Sequence, residues 1–351
     1  MRRVIEKLPL PIWFNLGLYK ALNIYRLVTN KASMENDIFR CVDIFCPDIT
    51  DVEKQLLVKD VKRSFVQHLA KPQEYFLLGF AKKTDKERSE WITDFIKDTY
   101  LKKYAKIERA LELQDKFYVY KKMRLYFKRD ACLLSGAKDR DAFISFTDKH
   151  NRFIAKPNTG SFGANTGIWD VKEKGQEVVF NELTSGRTTW MLEELIEQTP
   201  EMGQFNPDSV NSVRIPTFKT KNGYEIFGTF MRMGRKGSVV DNAGAGGIFV
   251  RVDETTGRII SDGYTEHGEV FERHPDSHVT FKGFQIPRWM ELRELAVKCH
   301  KELQGHKYIG WDFALTIKGW VLLEGNWGQF LCQQVSGQKP LKKQFIKLIK
   351  A

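Results

Sequence analysis

Two apolar runs near the end of the chain constrain the fold more than any other feature. Residues 309–317 and 320–326 are mostly apolar, and a Lys-Gly pair separates them. A glycine between two short apolar runs predicts a β-hairpin. Each predicted strand nevertheless carries an acid, Asp312 in the first and Glu324 in the second, where an ordinary strand would bury an apolar side chain. The hairpin therefore needs a reason for holding two charges.

The length of the connecting loop decides where the two acids lie. A two-residue turn would pair Asp312 with Gly325 and turn Glu324 to the opposite face of the sheet. A three-residue loop, residues 317–319 with Gly319 in the left-handed conformation, places Asp312 directly across from Glu324. We therefore expect the three-residue loop if the two acids act together.

A third polar residue joins the pair in that arrangement. Asn326 points to the same face as Glu324, because side chains two residues apart along a strand share a face. Two carboxylates and an amide oxygen among tryptophans and leucines repel unless a cation lies between them. Hard oxygen ligands of this kind suit Mg²⁺, which usually arrives with phosphates. An edge hairpin with solvated acids accounts for the same spacing, so the pattern alone leaves both interpretations open.

The composition is ordinary for a soluble globular protein. A chain of 351 residues buries a large core and holds two domains or one compound domain. Its apolar stretches are too short, and too often interrupted by charge, to span a bilayer. Met1-Arg2-Arg3 is followed by Glu6 and Lys7 rather than by the apolar core of a signal peptide. The five cysteines are scattered without zinc-site spacing. We expect reduced thiols in a cytoplasmic protein.

The net charge of +12 is concentrated in the first part of the chain. Residues 1–150 carry 30 Lys and Arg against 21 Asp and Glu, and residues 102–129 interleave basic with aromatic side chains. No zinc-finger or RNP-like motif accompanies them, so we expect no specific nucleic acid partner. Three interpretations stay open: core aromatics with solvated lysines, an anionic small substrate, or an anionic surface at the inner face of the membrane that the first thirty residues contact.

The periodicity of apolar residues changes along the chain. Residues 1–112 are predicted to be mostly helical, because 51–66, 89–104 and 106–114 have apolar positions at three- and four-residue intervals. From about residue 153 short apolar runs bounded by turn residues predict strands. These predicted strands are residues 153–155, 167–171, 178–180, 190–196, 212–218, 224–233, 247–252 and the hairpin. Further helices are predicted at 287–303 and 341–349. The predicted fold class is α+β, with antiparallel sheets dominating.

A lysine at the end of a predicted strand adjoins a glycine-rich loop. Lys156 ends the run 153–157, and residues 160–167 have the sequence G-S-F-G-A-N-T-G, which includes Ser161 and Gly163. Backbone N–H groups of such a loop can cradle a phosphate while the ammonium supplies charge. The Walker A motif is absent, and a plain glycine hairpin fits the residues about as well.

Two arginines lie within predicted strands whose other residues are apolar. Arg214 and Arg232 each need an anionic partner there, either a transferring phosphoryl group or a structural carboxylate. The glycine-rich loop 241–247, with Asn242, follows them and does not fit the dinucleotide motif. Upstream, the run 190–198 is an apolar strand with acids at its end. It would offer backbone groups to an adenine and an acid to a ribose, although an ordinary strand end has the same composition.

The order of these features resembles that of an ATP-grasp enzyme. In chain order they are Asp115-Lys116, Lys156 with its loop, the acids at 193–197, Arg214, Asn242, Asp312, and Glu324 with Asn326. The segments 153–157, 211–217, 241–247, 310–312 and 324–326 are similar to the branch called sugar-transfer-associated ATP-grasp, found among capsule and surface-polysaccharide genes. The resemblance covers about residues 113–330. The hairpin ending in Glu-x-Asn after an upstream Asp is its most specific part.

The resemblance implies a domain organisation. Residues 113–351 would adopt the ATP-grasp fold, two α+β subdomains whose antiparallel sheets grip ATP. Of these, 113–196 would be the smaller part that bears the lid, and 197–351 the core with the metal site. The helical region 1–112 does not resemble the small α/β domain that precedes many ATP-grasp ligases.

The resemblance also implies how the nucleotide is held. The residues assigned to the ATP phosphates are Lys116 and Lys156, with Ser161 and Gly163 of the loop. The backbone carbonyl of Glu194 and the N–H of Ile196, with Leu195 between them, would hold the adenine. Glu197 or Glu201 would contact the ribose.

The remaining roles concern the reacting groups. Arg214 would neutralise the γ-phosphate and an acyl phosphate, assisted by Arg232 or Asn242. The residues assigned to the metal are Asp312, Glu324 and Asn326, which would bind two Mg²⁺ with Glu324 bridging; Mn²⁺ is an alternative ion.

Three functions are compatible with this assignment. The first is an ATP- and Mg²⁺-dependent ligase that joins a carboxylate and an amine through an acyl phosphate, attaching an amino acid or similar group to a surface-polysaccharide or sugar precursor. The second is a kinase of a sugar or polyol hydroxyl. The third is a non-catalytic nucleotide-binding scaffold of a glycan assembly complex. The partners implied are ATP, a carboxylate substrate, and an amine or hydroxyl acceptor. The acceptor is either free or linked to a sugar or a lipid.

Overall fold

The computed structural model describes residues 11–105, 107–160 and 165–351. Within them the chain is α+β, and every strand pairing is antiparallel. The predicted fold class is therefore confirmed, and so is the helical character of the described part of 1–112; residues 1–10 of that prediction lie outside the described residues.

A set of helices precedes the first strand, as predicted. They are α1 (Ile12–Thr29), α2 (Lys31–Phe45), α3 (Asp51–Gln67), α4 (Pro72–Leu77), α5 (Asp85–Arg88), α6 (Asp94–Tyr104), α7 (Ile107–Gln114) and α8 (Lys116–Phe127). The predicted helix at 51–66 matches α3, which begins at a capping box between Thr50 and Glu53. The predicted helix at 106–114 matches α7, although residue 106 lies outside the described residues.

The predicted helix at 89–104 starts too early. Helix α6 begins only at Asp94, because Thr93 before it has an extended backbone conformation, with φ at −98° and ψ at 162°. The N–H of Ile92 donates to Gln334 Oε1 at 2.9 Å, and that of Asp94 donates to Glu74 Oε1 at 2.7 Å. These tertiary hydrogen bonds are not visible in a local apolar pattern.

The smaller sheet has the strand order β1-β4-β2-β3. Its strands are β1 (Ala131–Leu134), β2 (Arg152–Pro157), β3 (Gly167–Asp170) and β4 (Trp190–Glu194), and the helices packed with it are α9 (Arg140–Thr147), α10 (Val171–Lys174) and α11 (Gln176–Thr184). The strand predicted at 178–180 is wrong, since these residues belong to α11. Val179, Phe180 and Leu183 are buried at helical spacing against this sheet, and three adjacent apolar residues are too few to separate the two periods.

The larger sheet has the order β10-β9-β8-β7-β5-β11-β12, with β6 also paired to β5. Its strands are β5 (Val213–Thr220), β6 (Gly223–Ile226), β7 (Phe230–Met233), β8 (Ile248–Arg251), β9 (Gly263–Tyr264), β10 (Val270–Phe271), β11 (Tyr308–Thr316) and β12 (Gly319–Asn326), and its helices are α12 (Pro200–Gly203), α13 (Trp289–Glu302), α14 (Leu331–Gly337) and α15 (Lys342–Lys350). The single strand predicted at 224–233 is two strands. The chain turns at Gly228, with φ at 88°, and the N–H groups of Gly228 and Thr229 donate to Glu254.

The predicted hairpin is β11 and β12, and the predicted pairing of its acids is confirmed while the predicted loop is wrong. Thr316 pairs with Gly319, whose φ is 89°, so only two residues form the turn. The register then shifts by one residue, with Leu323 as the extra residue of a β-bulge, and Asp312 pairs with Glu324. The bulge therefore produces the pairing that we expected from a longer loop.

The main core lies between the larger sheet and the helices that cover one of its faces. Trp311, Phe313 and Leu322 point into this core from the hairpin, together with side chains of α8 and α13. Asp312, between two core residues on β11, consequently points to the opposite face. That face looks toward the smaller sheet.

Candidate active site

A cleft of about 1740 Å³ separates the two sheets. Its walls include the ends of β2 and β4 from the smaller sheet and the polar face of β5, β7, β11 and β12 from the larger one. Residues of α4, α6 and α14 complete it. The volume exceeds the roughly 300–1,000 Å³ typical of a pocket for one small ligand, so the cleft has room for a second substrate beside a nucleotide.

The two acids of the hairpin meet at one wall of the cleft, with an amide between them. The side chain of Asn326 donates from Nδ2 to Asp312 Oδ2 at 3.2 Å and to Glu324 Oε1 at 3.0 Å. A hydrogen-bond donor thus fills the space between two carboxylates that repel each other. Asp312 is fully buried, whereas Glu324 is partly exposed to the cleft.

Asp312 is held by two arginines of the neighbouring strands. Arg214, opposite Asp312 in the β5–β11 ladder, donates from Nε to Oδ1 and from Nη2 to Oδ2, both at 2.5 Å. Arg232 of β7 donates from Nη2 to Oδ2 at 2.9 Å. Burial opposes ionisation of Asp312, but the two guanidinium groups outweigh it and hold its pKa at about 2. The carboxylate is therefore charged, and most of its acceptor capacity is used by protein groups.

A hydrogen-bonded loop fixes Arg232 in turn. Its Nη2 donates to Ser212 Oγ at 2.9 Å, and the hydroxyl of Ser212 donates to Asp241. Arg232 Nη1 also donates to Asn242 Oδ1 at 3.4 Å, so the structure brings these two predicted catalytic residues together at the cleft. The loop that carries Asn242 lies against the arginine rather than apart from it.

The two predicted phosphate-binding lysines both line the cleft, next to the loop that follows β2. Lys116, the first residue of α8, donates from Nζ to the carbonyl oxygens of Pro157 at 3.1 Å and Gly160 at 3.0 Å. Burial lowers the pKa of Lys116, and Glu324 opposes this shift. The predicted loop residues Ser161 and Gly163 lie outside the described residues.

Lys156 is paired with a buried acid that we did not expect to be its partner. Its Nζ forms a salt bridge with Glu193, and Arg129 donates from Nε to the other oxygen of Glu193 at 2.7 Å. Burial opposes ionisation of Glu193, while Arg129 and Lys156 lower its pKa. Glu193, itself held by Arg129, therefore fixes the Lys156 ammonium at the strand end, where Lys156 and Glu193 both line the cleft.

The predicted adenine- and ribose-binding segment divides into two parts. The strand β4 ends at Glu194, and Leu195, Ile196 and Glu197 continue beyond it along the cleft. Their backbone groups therefore stand outside the sheet ladder. Glu201 is exposed on the short helix α12 and does not line the cleft, so the structure does not bring it together with the other candidates.

The helical first part of the chain supplies one end of the cleft. Lys71 and Asp94 form an ion pair at 2.5 Å, and Lys97 Nζ lies 2.9 Å from the other oxygen of Asp94; all three residues line the cleft. Glu266 faces the same end. Among the described residues no hydrogen bond or salt bridge to its carboxylate is found, and burial together with the charge of Asp94 raises the pKa of Glu266.

The residues at the hairpin fit a divalent cation by their chemistry. Two carboxylates and an amide, which presents its oxygen beside theirs once it rotates, are a ligand set that Mg²⁺ accepts, with water and phosphate oxygens completing it. Over the described ranges no group of three or more His, Cys, Asp or Glu is placed to hold a metal ion. Protein ligands alone would thus be few, as is usual for Mg²⁺ bound with phosphates.

Sequence reasoning missed the residues that support the site from elsewhere in the chain. They are Arg129, Asp241, Glu266, Gln329 and the ion-pair group on α4 and α6. Gln329, for example, accepts from Arg214 Nη1 at 2.7 Å. No local motif marks these residues. A charged side chain beside buried aromatics, as Arg129 is beside Phe127, was the available signal.

Several solved structures share similarity with the chain at low identity. The D-alanine–D-alanine ligase from Coxiella burnetii has 11% identity and a TM-score of 0.44, and the match covers 70% of this chain and 60% of that chain. The D-cycloserine synthetase DcsG has 12% identity, a TM-score of 0.41 and coverage of 69% and 71%. The ATP-grasp ligase PsnB, complexed with a minimal precursor, has 14% identity, a TM-score of 0.42 and coverage of 76% and 69%. These scores are too low to carry an argument about function.

One protein family matches most of the chain. A search of curated proteins finds no match. The family described as sugar-transfer associated ATP-grasp matches residues 96–350, which is most of the chain and more than the 113–330 on which the sequence resemblance rests. The match includes most of α6 and both sheets, and it spans the cleft residues Lys116, Lys156, Asp312 and Glu324. This chain belongs to the sugar-transfer-associated ATP-grasp family.

Proposed function

We propose that the protein is an ATP- and Mg²⁺-dependent ligase that joins a carboxylate to an amine through an acyl phosphate. The observation that carries this proposal is the convergence on one cleft of the acids Asp312 and Glu324, the lysines Lys116 and Lys156, and Arg232. Phosphoryl transfer needs positioning and neutralisation of charge more than covalent help from the protein. This set of side chains supplies both.

The nucleotide is proposed to lie between the sheets. Lys116 and Lys156 contact its phosphates, and the backbone of residues 194–196 holds the adenine. Glu197, which lines the cleft, is favoured over Glu201 for the ribose. Glu324 and Asn326, with Asp312, hold one or two Mg²⁺, which supply charge neutralisation for the phosphates when bound.

The two arginines have different proposed roles. Arg214 donates to Asp312 and Gln329, so it positions the acid ligand and contributes charge near the γ-phosphate. Arg232, which lines the cleft beside Asn242, faces the transferring phosphoryl group and the acyl phosphate.

The reaction balances in two steps. An oxygen of the substrate carboxylate attacks the γ-phosphorus, the bond from that phosphorus to the β–γ bridging oxygen breaks, and ADP leaves. The amine nitrogen then attacks the acyl carbon, the bond from that carbon to the phosphate oxygen breaks, and inorganic phosphate leaves. The amine gives up its proton to a base.

The end of the cleft bordered by Asp94, Lys97 and Glu266 is proposed to receive the amine, and we call it the acceptor end. Glu266 is our candidate for binding the amine and taking its proton. Its carboxylate has no salt bridge among the described residues, so it is open to a cationic or hydrogen-bonding partner.

The biological setting is proposed from the family description and from the chain itself. Attachment of an amino acid or similar group to a sugar precursor of a surface polysaccharide agrees with sugar transfer. The cysteines are free, which agrees with a reducing compartment where ATP is available. The division into residues 1–112, 113–196 and 197–351 remains our proposal for the domains.

The substitution Glu324→Gln tests the proposal. It removes one charge from the metal-binding wall without changing the side-chain volume, and we expect ADP release to fall by ~10²–10³. Release is measured with Mg-ATP and a panel of amino acids and amino sugars. The matched control is Glu225→Gln, an exposed residue of β6, for which wild-type turnover is expected.

Product analysis distinguishes the alternatives. The ligase releases free phosphate and requires both acceptors, whereas a kinase leaves the phosphate on one hydroxyl. Phosphate found on a sugar hydroxyl would show that the protein is a kinase and not a ligase. Failure of the wild-type protein to bind Mg-ATP in calorimetry would favour the scaffold. Unchanged turnover in Glu324→Gln would contradict the assignment of Glu324 as a metal ligand.

A further inference from the structure

The first described helix presents large apolar side chains to solvent near both of its ends. Trp13 and Val28 are 73% and 72% exposed, and Tyr25 is 62% exposed. With Phe14 and Ile24 they repeat at helical spacing, so they share one face of α1 (the α1 stripe). A helix on the surface of a soluble protein normally turns its polar face outward. The α1 stripe reverses that arrangement.

The opposite face of α1 fixes the helix to the protein. The ring of Tyr19 packs on that of Phe95 with centroids 5.1 Å apart, and Asn23 donates from Nδ2 to the carbonyl oxygen of Phe65 at 2.8 Å. Both Tyr19 and Asn23 are buried. The orientation of the α1 stripe is therefore set by packing against α3 and α6.

Basic side chains border the α1 stripe, and α1 itself carries no acid. Lys20 is exposed on α1, and helical spacing places it at the edge of the α1 stripe. Lys342, the first residue of α15, lies close enough that Lys20 adds to the lowering of its pKa that burial causes. Helix α15 also exposes Lys343 and Lys347. A surface that combines an apolar strip with lysines matches the two attractions of an anionic lipid interface.

Helix α6 connects this surface with the cleft. Tyr100 of α6 packs against Phe345 of α15 with centroids 6.3 Å apart, while Phe95 of α6 contacts α1. Asp94 and Lys97, near the beginning of the same helix, line the acceptor end of the cleft. Helix α1, which carries the α1 stripe on its outer face, and the acceptor end of the cleft are thus both in contact with α6.

We propose that the α1 stripe, with Lys20 and the lysines of α15, is a docking surface for an anionic lipid bilayer. The apolar side chains enter the boundary between headgroups and acyl chains, and the lysines contact anionic headgroups. A second copy of this chain is a poorer occupant, because a symmetric contact would bring Lys20 and its neighbours against like charges. No helix of the described residues is long and apolar enough to cross a membrane.

Sedimentation of the full-length protein with lipid vesicles tests the proposal. The vesicles are phosphatidylcholine alone or mixed with phosphatidylglycerol. We expect binding to the mixed vesicles that weakens with added salt, and little binding to phosphatidylcholine alone. The double substitution Ile24→Glu and Val28→Glu is expected to weaken binding at least ~10-fold, because two apolar residues of the α1 stripe become charged and leave the interface.

A matched pair on another helix controls for surface charge. Val52 and Leu56 are 72% and 61% exposed, and they stand at the same four-residue spacing on α3. Val52→Glu with Leu56→Glu adds the same two charges, so equal loss of binding in both pairs would overturn the proposal. So would a wild-type protein that stays unbound to mixed vesicles.

Two further measurements distinguish lipid docking from misfolding and from dimerisation. Circular dichroism and urea unfolding show whether the variants fold. Sedimentation equilibrium shows whether the wild-type protein forms a dimer. If Ile24→Glu with Val28→Glu abolishes such a dimer, and the wild-type protein does not bind vesicles, the surface is an interface between copies and the lipid proposal is wrong. ATP turnover without lipid is expected to be the same in wild type and in both double variants, so the vesicle experiment does not depend on the proposed ligase activity.

Discussion

At the scale of single residues, Asp312 has a structural role in addition to any chemical role. Both of its oxygens are bonded to buried guanidinium groups, those of Arg214 and Arg232. Glu324 is partly exposed, and its carboxylate oxygen is 3.9 Å from Arg214. The two acids of the same wall therefore differ in how much of the fold depends on them.

Substituting Asp312→Asn should unfold the protein more easily. Loss of the carboxylate charge leaves two buried arginines without their partner, and breaking a buried ion pair costs about 3–5 kcal/mol. The free energy of unfolding is measured by urea titration. Glu324→Gln is the matched control, expected within about 0.5 kcal/mol of wild type because its carboxylate has solvent access. Equal stability of the two variants would contradict the structural role of Asp312.

The same aspartate gives a pH dependence with a definite sign. The folded-state pKa of Asp312 is about 2, below the usual value for an aspartate. Its contribution to stability is therefore fully present above an ordinary aspartate pKa and is lost as pH falls toward 2. In wild type the unfolding free energy, measured by urea titration at a series of pH values, should decline over this acid range more steeply than in Asp312→Asn. Parallel curves for the two proteins would contradict this assignment.

At the scale of elements, the hairpin shows what could be predicted from the sequence and what could not. The two strands, their acids and the left-handed Gly319 follow from apolar runs and a glycine. The bulge at Leu323 does not, because the extra residue is accommodated by Leu322 facing the core and Glu324 facing the cleft. Those contacts are tertiary. A longer loop and a bulge both pair Asp312 with Glu324. The sequence therefore predicts this pair correctly although it predicts the wrong turn.

A Cβ at the left-handed position of this turn is expected to destabilise the hairpin. Gly319 has φ at 89°, and a Cβ there would meet the guanidinium of Arg288 at 3.2 Å. Gly319→Ala should cost about 1–2 kcal/mol of unfolding free energy, mostly from backbone strain. Gly186→Ala is the control, since that glycine has open space around its Cβ position. Urea unfolding measures both, and an equal effect of the two substitutions would show that the left-handed turn is not the cause.

At the scale of the whole molecule, the cleft is built by parts of the chain far apart in sequence. The lysines come from β2 of the smaller sheet and from the start of α8, the acids from the hairpin, and Asp94 and Lys97 from the helical first part. A local pattern identifies members of the first two groups because each adjoins a glycine loop or an apolar strand. It cannot show that a helix of the first hundred residues closes the cleft, since that depends on long-range packing.

The acceptor end of the cleft can be tested through Glu266. If Glu266 binds the amine, Glu266→Gln should raise the KM for the amine by about 10–100-fold, since a hydrogen bond to a charged group contributes about 1.5–3 kcal/mol. Formation of the acyl phosphate should be unaffected. Hydroxylamine, a small nucleophile that is neutral at pH 7, measures that step by trapping the acyl phosphate as a hydroxamate.

The control for Glu266→Gln is Glu269→Gln, an exposed residue close by in the same segment. Wild-type KM in Glu266→Gln, or the same rise in the control, would refute the assignment. Loss of hydroxamate in Glu266→Gln alone would move this residue from the acceptor to the phosphoryl-transfer step. Absence of hydroxamate in the wild-type protein would instead count against the ligase chemistry. Each outcome thus concerns a different step of the proposed reaction, because hydroxamate reports formation of the acyl phosphate and the KM reports binding of the amine.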